Sequence, residues 1–257
     1  MTSLPHKLLF FKREEIDACF VFTFSKKFRD MDPRDFLEKI LFRHFDLEYL
    51  TVGYNFYFGK NRSGSTDLIA EYAEKRGIGF RVAKPVMSAG ETISSSRIRA
   101  LIRKGEMKKA NVMLGRPYSV LATVVKGAGR GTRLGFPTAN LDVHSEVLPP
   151  SGVYAVEVRS CKNTLSSFHK VSQVRPDCCF SSHRGLLNLG VTPTFGTRIS
   201  FHAEVHIPGI SRDFRGKLLE VTFGKKIRDE IKFDSERELC VQIARDIQKT
   251  GLGAAQV

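Results

Sequence analysis

The stretch Phe201-His-Ala-Glu-Val-His-Ile207 alternates strictly between apolar and polar residues. Because successive side chains of a β-strand point to opposite faces, it predicts a strand whose odd-numbered residues are buried. Similar short runs, separated by turn residues, predict further strands at Val120–Val125, Val153–Val158, Leu186–Gly190 and Leu218–Phe223. Many short strands with Gly/Pro turns are typical of a small antiparallel β-barrel, and the helical periodicity of Ser235–Gln248 adds a terminal helix.

The first half of the chain has a different periodicity. Short apolar runs predict strands at Ala18–Phe24, Leu47–Val52 and Phe80–Val86, and helical patterns lie between and after them. Strands that alternate with helices indicate βαβ units and a parallel sheet. We place the boundary near Pro117, with an α/β domain over 1–115 and a barrel domain over 116–257.

Composition narrows the class of protein. The 257 residues are 42% hydrophobic and 26% charged, as in globular proteins. We find no secretory signal and no apolar run long enough for a bilayer, and the five cysteines fit neither a disulfide framework nor a zinc site. We therefore expect a cytoplasmic protein without a membrane partner. The net charge of +14 favours anionic ligands, either phosphorylated metabolites or nucleic acid.

A glycine-rich loop, Lys126-Gly-Ala-Gly-Arg-Gly-Thr-Arg-Leu-Gly-Phe-Pro-Thr-Ala-Asn140, follows the first barrel strand. Gly127, Gly129 and Gly131 let the backbone approach a ligand closely, and Lys126 and Arg130 add positive charge. These features suit a phosphate group, although glycine spacing alone is equally typical of a tight β-turn.

Thr138 and Asn140 end this loop on an extended segment. Being two residues apart, their side chains face the same way. Both can reach one Mg²⁺–phosphate group, because Mg²⁺ takes hard oxygen ligands.

The polar face of residues 201–207 has two functional interpretations. His202, Glu204 and His206 could together hold a metal ion. Alternatively, Glu204 is a single catalytic carboxylate that the two histidines merely border. A solvated barrel exterior would show the same alternation, so the pattern leaves these interpretations open.

Several segments occur in the order that one enzyme family has them. They are Lys126–Leu141, Gly152–Val156, Asn188-Leu-Gly-Val-Thr-Pro-Thr-Phe195, Glu204-Val-His206 and Ile227–Ser235. Together they resemble the riboflavin kinase module of the prokaryotic bifunctional enzyme that makes FMN and then FAD. The resemblance covers nearly all of Arg116–Gln248. It implies a six-stranded antiparallel barrel with a C-terminal helix, riboflavin and ATP as substrates, and Mg²⁺ as cofactor.

Roles for individual residues follow from this resemblance. Thr138 and Asn140 would bind Mg²⁺–ATP, and Gly127–Gly131 would form a flap over the phosphates. Glu204 would be the general base on the riboflavin 5′-hydroxyl. Phosphoryl transfer asks mainly for positioning, charge neutralisation and a carboxylate near the attacking hydroxyl, so the residue types agree with these roles.

The same resemblance implies which residues contact the flavin. Arg228, Phe233 and Ser235 would border the flavin. The chain departs from the family at Cys161–Arg184, a segment longer than family members usually have.

Two motifs in the first half, Val52-Gly-Tyr-Asn-Phe-Tyr-Phe-Gly59 and Ile93-Ser-Ser-Ser-Arg-Ile-Arg99, resemble the FMN adenylyltransferase module, a Rossmann-like nucleotidyltransferase. The resemblance implies that Asn55 and Arg99 serve the nucleotide. Ser94 and Ser95 open a helix, where a phosphate can bind. The family's H-x-G-H motif, whose imidazoles contact the ATP phosphates, begins at none of the 7 histidines. We therefore expect a truncated adenylyltransferase domain that has lost adenylyl transfer.

Three functions compete at this stage. The favoured one is a riboflavin kinase alone. The second keeps both activities, with the missing segment encoded upstream of a wrongly assigned start. The third is a nucleic-acid-binding barrel, which the net charge suggests; its aromatic residues, however, do not interleave with basic ones as base stacking requires. We expect no nucleic-acid partner.

Overall fold

The computed structural model describes residues 1–127, 129–144, 146–161, 182–193, 199–210 and 213–251. The chain forms two compact units: Phe20–Ile93, and a larger unit that combines Met1–Cys19 with Ser94–Val257. The domain boundary after residue 115 stays a prediction, since helices before it belong to the same compact unit as the barrel. Most of the long Cys161–Arg184 segment lies outside the described residues.

The helices are α1 (Leu4–Arg13), α2 (Lys26–Arg29), α3 (Pro33–Asp35), α4 (Phe42–His44), α5 (Thr66–Arg76), α6 (Ser95–Arg103), α7 (Met107–Leu114), α8 (Arg130–Arg133) and α9 (Glu236–Lys249). A π-helical segment, Phe36–Leu41, joins α3 to α4, and Lys60–Arg62 is a 3₁₀ turn. Within the described ranges, no helix has the length and apolar character needed to cross a membrane.

The strands are β1 (Tyr49–Gly53), β2 (Gly79–Ala83), β3 (Met87–Ser88), β4 (Glu91–Thr92), β5 (Ser119–Val125), β6 (Thr138–Val143), β7 (Gly152–Cys161), β8 (Ser182–Pro193), β9 (Ile199–His206) and β10 (Leu218–Arg228). The first four belong to the smaller unit and the last six to the larger one.

The smaller unit contains the two-stranded parallel sheet of β1 and β2, the antiparallel pair of β3 and β4, and helices. β1 pairs with β2 from Tyr49 opposite Gly79 to Gly53 opposite Ala83. Ser65 caps α5 by accepting a hydrogen bond from the Leu68 amide, and Gly77 ends the helix with φ at 66°. The predicted α/β class with a parallel sheet is confirmed.

The predicted strand at Ala18–Phe24 is wrong. In the described residues this segment pairs with no strand, and Phe20, Phe22 and Phe24 are 56%, 49% and 74% exposed. Phe20 meets Phe45 edge to face instead, with ring centroids 4.6 Å apart. A short apolar run indicates side chains that would gain from burial. A strand also needs a neighbouring strand for its backbone hydrogen bonds, and the sequence pattern does not show whether one is present.

The larger unit contains a closed barrel with the strand order β10-β5-β6-β9-β8-β7. Every neighbouring pair is antiparallel, which confirms the six-stranded barrel, and α9 confirms the C-terminal helix. The interior contains side chains that are at most 1% exposed, among them Val120, Leu187, Leu189, Val205 and Leu219. Outside the barrel, Ile247 of α9 packs with Val153 and Leu186.

The register of three strands places the polar residues in rows on the outer face. Asn140 of β6 lies opposite Glu204 of β9, which lies opposite Asn188 of β8. In the adjacent row, His206 lies between Thr138 and Leu186. Since paired residues point to the same face of a sheet, β6, β9 and β8 present these side chains together.

A buried charge network attaches α1 to the barrel. His6 is fully buried; its Nδ1 lies 2.8 Å from Glu146 and its Nε2 lies 3.3 Å from Glu220. Arg13 donates to the same Glu220 carboxylate at 2.9 Å, and the Ser119 hydroxyl donates to it at 3.0 Å. Both ring nitrogens of His6 thus face carboxylate oxygens, an environment that fits the imidazolium.

Burial and charge act in opposite directions on this network. Burial by itself lowers the pKa of His6, but hydrogen bonds and negative charge from Glu146 and Glu220 outweigh it and hold the pKa above 6.5. Burial likewise raises the pKa of Glu220, and His6 and Arg13 bring that pKa far below its usual range. The folded state therefore favours a positive His6.

We expect His6→Gln to lower the free energy of unfolding of the larger unit by about 3–5 kcal/mol, because it leaves two buried carboxylates without their shared cation. Chemical denaturation at pH 6 measures this. Asp229→Asn is the control: it removes a pair with Lys226 in which Asp229 is 89% exposed, so its effect should stay below about 1 kcal/mol.

The stabilisation that charged His6 gives to the larger unit should depend on pH. It is fully present below the unfolded-state pKa of about 6.5 and is lost as pH rises through the raised folded-state pKa. The difference in stability between wild type and His6→Gln should therefore shrink at alkaline pH. A difference that grows there would contradict a charged His6.

Candidate active site

Two clefts of the barrel share one wall, which is formed by Thr138 of β6. The first, called here the glycine-loop cleft, has a volume of about 390 Å³. Its lining includes Lys126, Gly127, Gly129, Thr132, Thr138, Asn140, Ile207, Ile210, Asp213, Phe214 and Arg215. The lining combines charged and amide groups with apolar side chains such as Ile207, Ile210 and Phe214.

Glycines of the loop approach the predicted ligand-binding side chains closely. A methyl group at Gly127 would lie 1.9 Å from Nδ2 of Asn140. One at Gly131 would lie 2.5 Å from the Phe136 carbonyl oxygen and 2.9 Å from the Thr138 hydroxyl. The loop can lie against β6 only because both positions lack a side chain. Arg130 begins α8 in the same loop.

The second cleft, called here the helix-side cleft, has a volume of about 350 Å³. Its apolar lining is Leu134, Phe136, Val153, Leu186, Ile231, Phe233, Leu239 and Ile243. Its polar lining is Thr138, Asn188, His202, Glu204, His206, Arg228, Glu230 and Asp246. An apolar floor with polar groups along one side suits a flat ring system with a polar substituent.

Two of the predicted active-site residues, Thr138 and Glu204, are hydrogen-bonded to each other at the wall between the clefts. Thr138 lines both clefts, and its hydroxyl donates to Oε2 of Glu204 at 3.3 Å. Because the hydroxyl proton points to the carboxylate, the lone pairs of the Thr138 oxygen stay available to a cation. Together with the Asn140 side chain they form a set of hard oxygen donors, which fits Mg²⁺.

The interpretation of His202, Glu204 and His206 as a metal site finds no support. Nδ1 of His206 donates to the Pro137 carbonyl at 2.8 Å, and Nε2 of His202 lies 3.9 Å from Glu230. In the described part of the chain, no three His, Cys, Asp or Glu residues are placed to hold an ion. These contacts of His206 and His202 are with different groups, Pro137 and Glu230, and the interpretation of Glu204 as a single catalytic carboxylate stays a prediction.

The predicted flavin residues have different positions. Arg228 and Phe233 line the helix-side cleft. Nε of Arg228 donates to buried Asp246 at 2.7 Å, and its guanidinium lies 5.7 Å from the Phe233 ring centroid. Ser235 is outside the lining; it is the N-cap of α9 and accepts from the Glu238 amide.

The predicted nucleotide residues of the first half belong to different compact units, and their roles stay predictions. Asn55 is exposed and follows β1 in the smaller unit. Ser94, Ser95 and Arg99 belong to α6 in the larger unit, where Ser94 is the N-cap and Arg99 donates to Ser96 at 3.0 Å.

Sequence reasoning missed the contribution of α9. Leu239, Ile243 and Asp246 all line the helix-side cleft. Their spacing of four and three residues puts them on one helix face, so that signal was present in the sequence. Nothing in the sequence indicated that α9 packs against β7 and β8.

Known protein families match both parts of the sequence. The riboflavin kinase family matches residues 114–251, and the FAD synthetase family matches residues 1–97. The bifunctional riboflavin kinase/FMN adenylyltransferase of Haemophilus influenzae is 30% identical over 245 residues, covering 95% of this chain and 74% of that protein. The protein of that name from Escherichia coli K12 is 31% identical and covers 96% of this chain and 73% of its own length.

A solved structure has a similar fold over almost the whole chain. The crystal structure described as a macrolide-efflux protein from Streptococcus pneumoniae superposes with a TM-score of 0.74 at 25% identity. It covers 97% of this chain and 75% of its own.

The contact between Gly127 and Asn140 can be tested by a double-mutant cycle. Gly127→Ala should cost about 1–3 kcal/mol, because the new methyl group displaces the Asn140 amide. In an Asn140→Ala background the same change should cost almost nothing. Denaturant titration of wild type, both single variants and the double variant measures this coupling; additive effects would show that Asn140 is not the clashing group.

Proposed function

The chain belongs to the riboflavin kinase/FAD synthetase family, and from that premise we propose that its barrel transfers the γ-phosphate of ATP to the 5′-hydroxyl of riboflavin, giving FMN. One observation carries the assignment of the site: the Thr138–Glu204 contact lies on the wall between a polar, glycine-lined cleft and an apolar one. A phosphoryl donor and an acceptor bound in the two clefts would meet there.

ATP is assigned to the glycine-loop cleft. The backbone of Gly127–Gly131 and the ammonium group of Lys126 would face the phosphates, and the base would lie toward Phe214. Thr138 and Asn140 would hold the Mg²⁺ that accompanies ATP. When bound, Mg²⁺ neutralises phosphate charge as the bond to the leaving oxygen breaks.

Riboflavin is assigned to the helix-side cleft. Its ring system would lie on the apolar floor near Phe136 and Leu186, with Phe233 and Arg228 at the border. The ribityl chain would then extend toward Glu204, the carboxylate at the shared wall. Ser235 would act only indirectly, by capping the helix whose side chains cover the ring.

Glu204 would act as the general base. Its carboxylate takes the proton of the 5′-hydroxyl while that oxygen forms a bond to the γ-phosphorus, and the bond from the γ-phosphorus to the β,γ-bridging oxygen breaks to release ADP. The carboxylate is half-buried beside Asn140 and Asn188 on neighbouring strands. This register keeps it next to Thr138, where donor and acceptor would meet.

We propose that this polypeptide makes FMN without making FAD. The support is that none of its 7 histidines begins an H-x-G-H motif. The match of residues 1–97 to the FAD synthetase family favours the alternative, a bifunctional enzyme. Neither nucleic acid nor a membrane is part of either proposal.

A product assay distinguishes these two functions. Purified protein with riboflavin, Mg²⁺ and ATP should accumulate FMN, resolved by chromatography, and should not convert FMN to FAD. Substantial FAD from a homogeneous sample would show that adenylyl transfer proceeds without the motif. Absence of FMN would refute the kinase.

The role of Glu204 predicts a specific loss. Glu204→Gln keeps the shape of the side chain but cannot accept the proton, so kcat should fall about 10²–10⁴-fold with the fold intact. Thr138→Ala and Asn140→Ala should each lower turnover about 10²–10³-fold, because each removes a group that positions Mg²⁺–ATP. Near-normal turnover of Glu204→Gln would mean that the hydroxyl loses its proton elsewhere.

A further inference from the structure

We propose that His206 is a positioning residue for the phosphoryl transfer: it holds the Pro137 carbonyl and thereby the position of Thr138. The inference rests on the proposed kinase function. It changes the earlier interpretation of the strand 201–207, in which His206 merely bordered Glu204. It also separates His206 from His202, whose Nε2 lies 3.9 Å from Glu230.

The contacts of His206 define its ring orientation. Nδ1 lies 2.8 Å from the Pro137 carbonyl oxygen. A carbonyl can only accept, so Nδ1 carries a proton and donates it, in the neutral ring as well as in the imidazolium. The ring also packs edge to face with Phe136, with centroids 5.7 Å apart. His206 is 8% exposed, so these contacts form away from bulk water.

His206 therefore holds the two residues that come directly before Thr138. This matters because Pro137 has no N–H, which leaves its carbonyl as its one backbone hydrogen-bonding group. Pairing of β6 with β9 begins at Thr138, opposite His206 itself. On the other side, the Phe136 amide donates to Gly131 of the loop at 2.9 Å. The His206 imidazole thus connects Phe136 and Pro137, where the glycine-rich loop ends, to β9 of the barrel.

The position of this wall should affect chemistry more than substrate affinity. Phe136 and Thr138 line the helix-side cleft, and Pro137 and Thr138 line the glycine-loop cleft. A small displacement would misalign the γ-phosphate with the 5′-hydroxyl while leaving most contacts to both substrates intact. A misplacement of about 1 Å can cost roughly 10²-fold in rate.

Three variants of His206 test the proposal. The amide nitrogen of Asn occupies nearly the position of Nδ1, whereas that of Gln occupies nearly the position of Nε2. His206→Ala and His206→Gln should lower kcat about 10–100-fold with little change in KM for riboflavin, and His206→Asn should recover most of kcat. His144→Ala is the matched control: Nε2 of His144 lies 2.7 Å from the Thr123 hydroxyl, and His144 is not among the residues that line the two clefts.

Amide hydrogen exchange over residues 131–140 gives a readout that does not require turnover. Exchange there should be faster in His206→Ala than in wild type and His144→Ala, and His206→Asn should restore protection. If His206→Ala does not fold, the proposal is tested by comparing kcat and amide exchange between His206→Asn and His206→Gln.

The outcomes separate the two proposals. Unchanged exchange and kcat in the Ala and Gln variants would overturn the role of His206 while leaving the kinase intact. A higher kcat for His206→Gln than for His206→Asn would also overturn it, because the hydrogen bond that matters would then be made by Nε2 of the imidazole. A wild-type protein that makes no FMN would refute the kinase, and the exchange data would still show whether His206 holds the wall.

Discussion

The antiparallel register of β6, β9 and β8 is the constraint on which the site depends. It places Glu204 between Asn140 and Asn188, and His206 between Thr138 and Leu186. Since side chains alternate along a strand, a slip of one residue would turn all of them into the barrel and bring Val205 out. The buried interior residues, such as Leu187 and Val205, therefore hold the polar rows on the outer face.

The outer face of a barrel is normally solvated. Here the glycine-rich loop and α9 lie over parts of it. The glycine loop covers the β6 side, where Gly127 and Gly131 permit contact with Asn140 and Thr138. α9 covers the β8 side through Ile243 and Ile247. The pair of Arg228 and Asp246 joins the end of β10 to α9, and Gln242 donates to the same carboxylate at 2.8 Å. Because Asp246 is 1% exposed, breaking this pair would leave a buried carboxylate without the cation that neutralises it.

Much of the barrel and part of the site could be predicted from the sequence. Alternation in residues 201–207 correctly separated Ala203 and Val205 from Glu204, and the helical periodicity of Ser235–Gln248 correctly indicated α9. Prediction was wrong at Ala18–Phe24, where an apolar run had no strand to pair with. It also treated His202 and His206 alike, because alternation reports which face a side chain is on and not what it meets.

The amino-acid sequence by itself determined the class of each half, the face of each strand and the residue types needed for phosphoryl transfer. These properties are local: they follow from the period of apolar residues and from glycine, proline and capping chemistry within a few positions. Only the tertiary structure decided that Thr138 contacts Glu204, that His206 holds Pro137, that His6 lies between two carboxylates, and that α9 completes the second cleft. Each of these joins residues far apart in the chain, and its geometry depends on strand register and packing that no local pattern encodes.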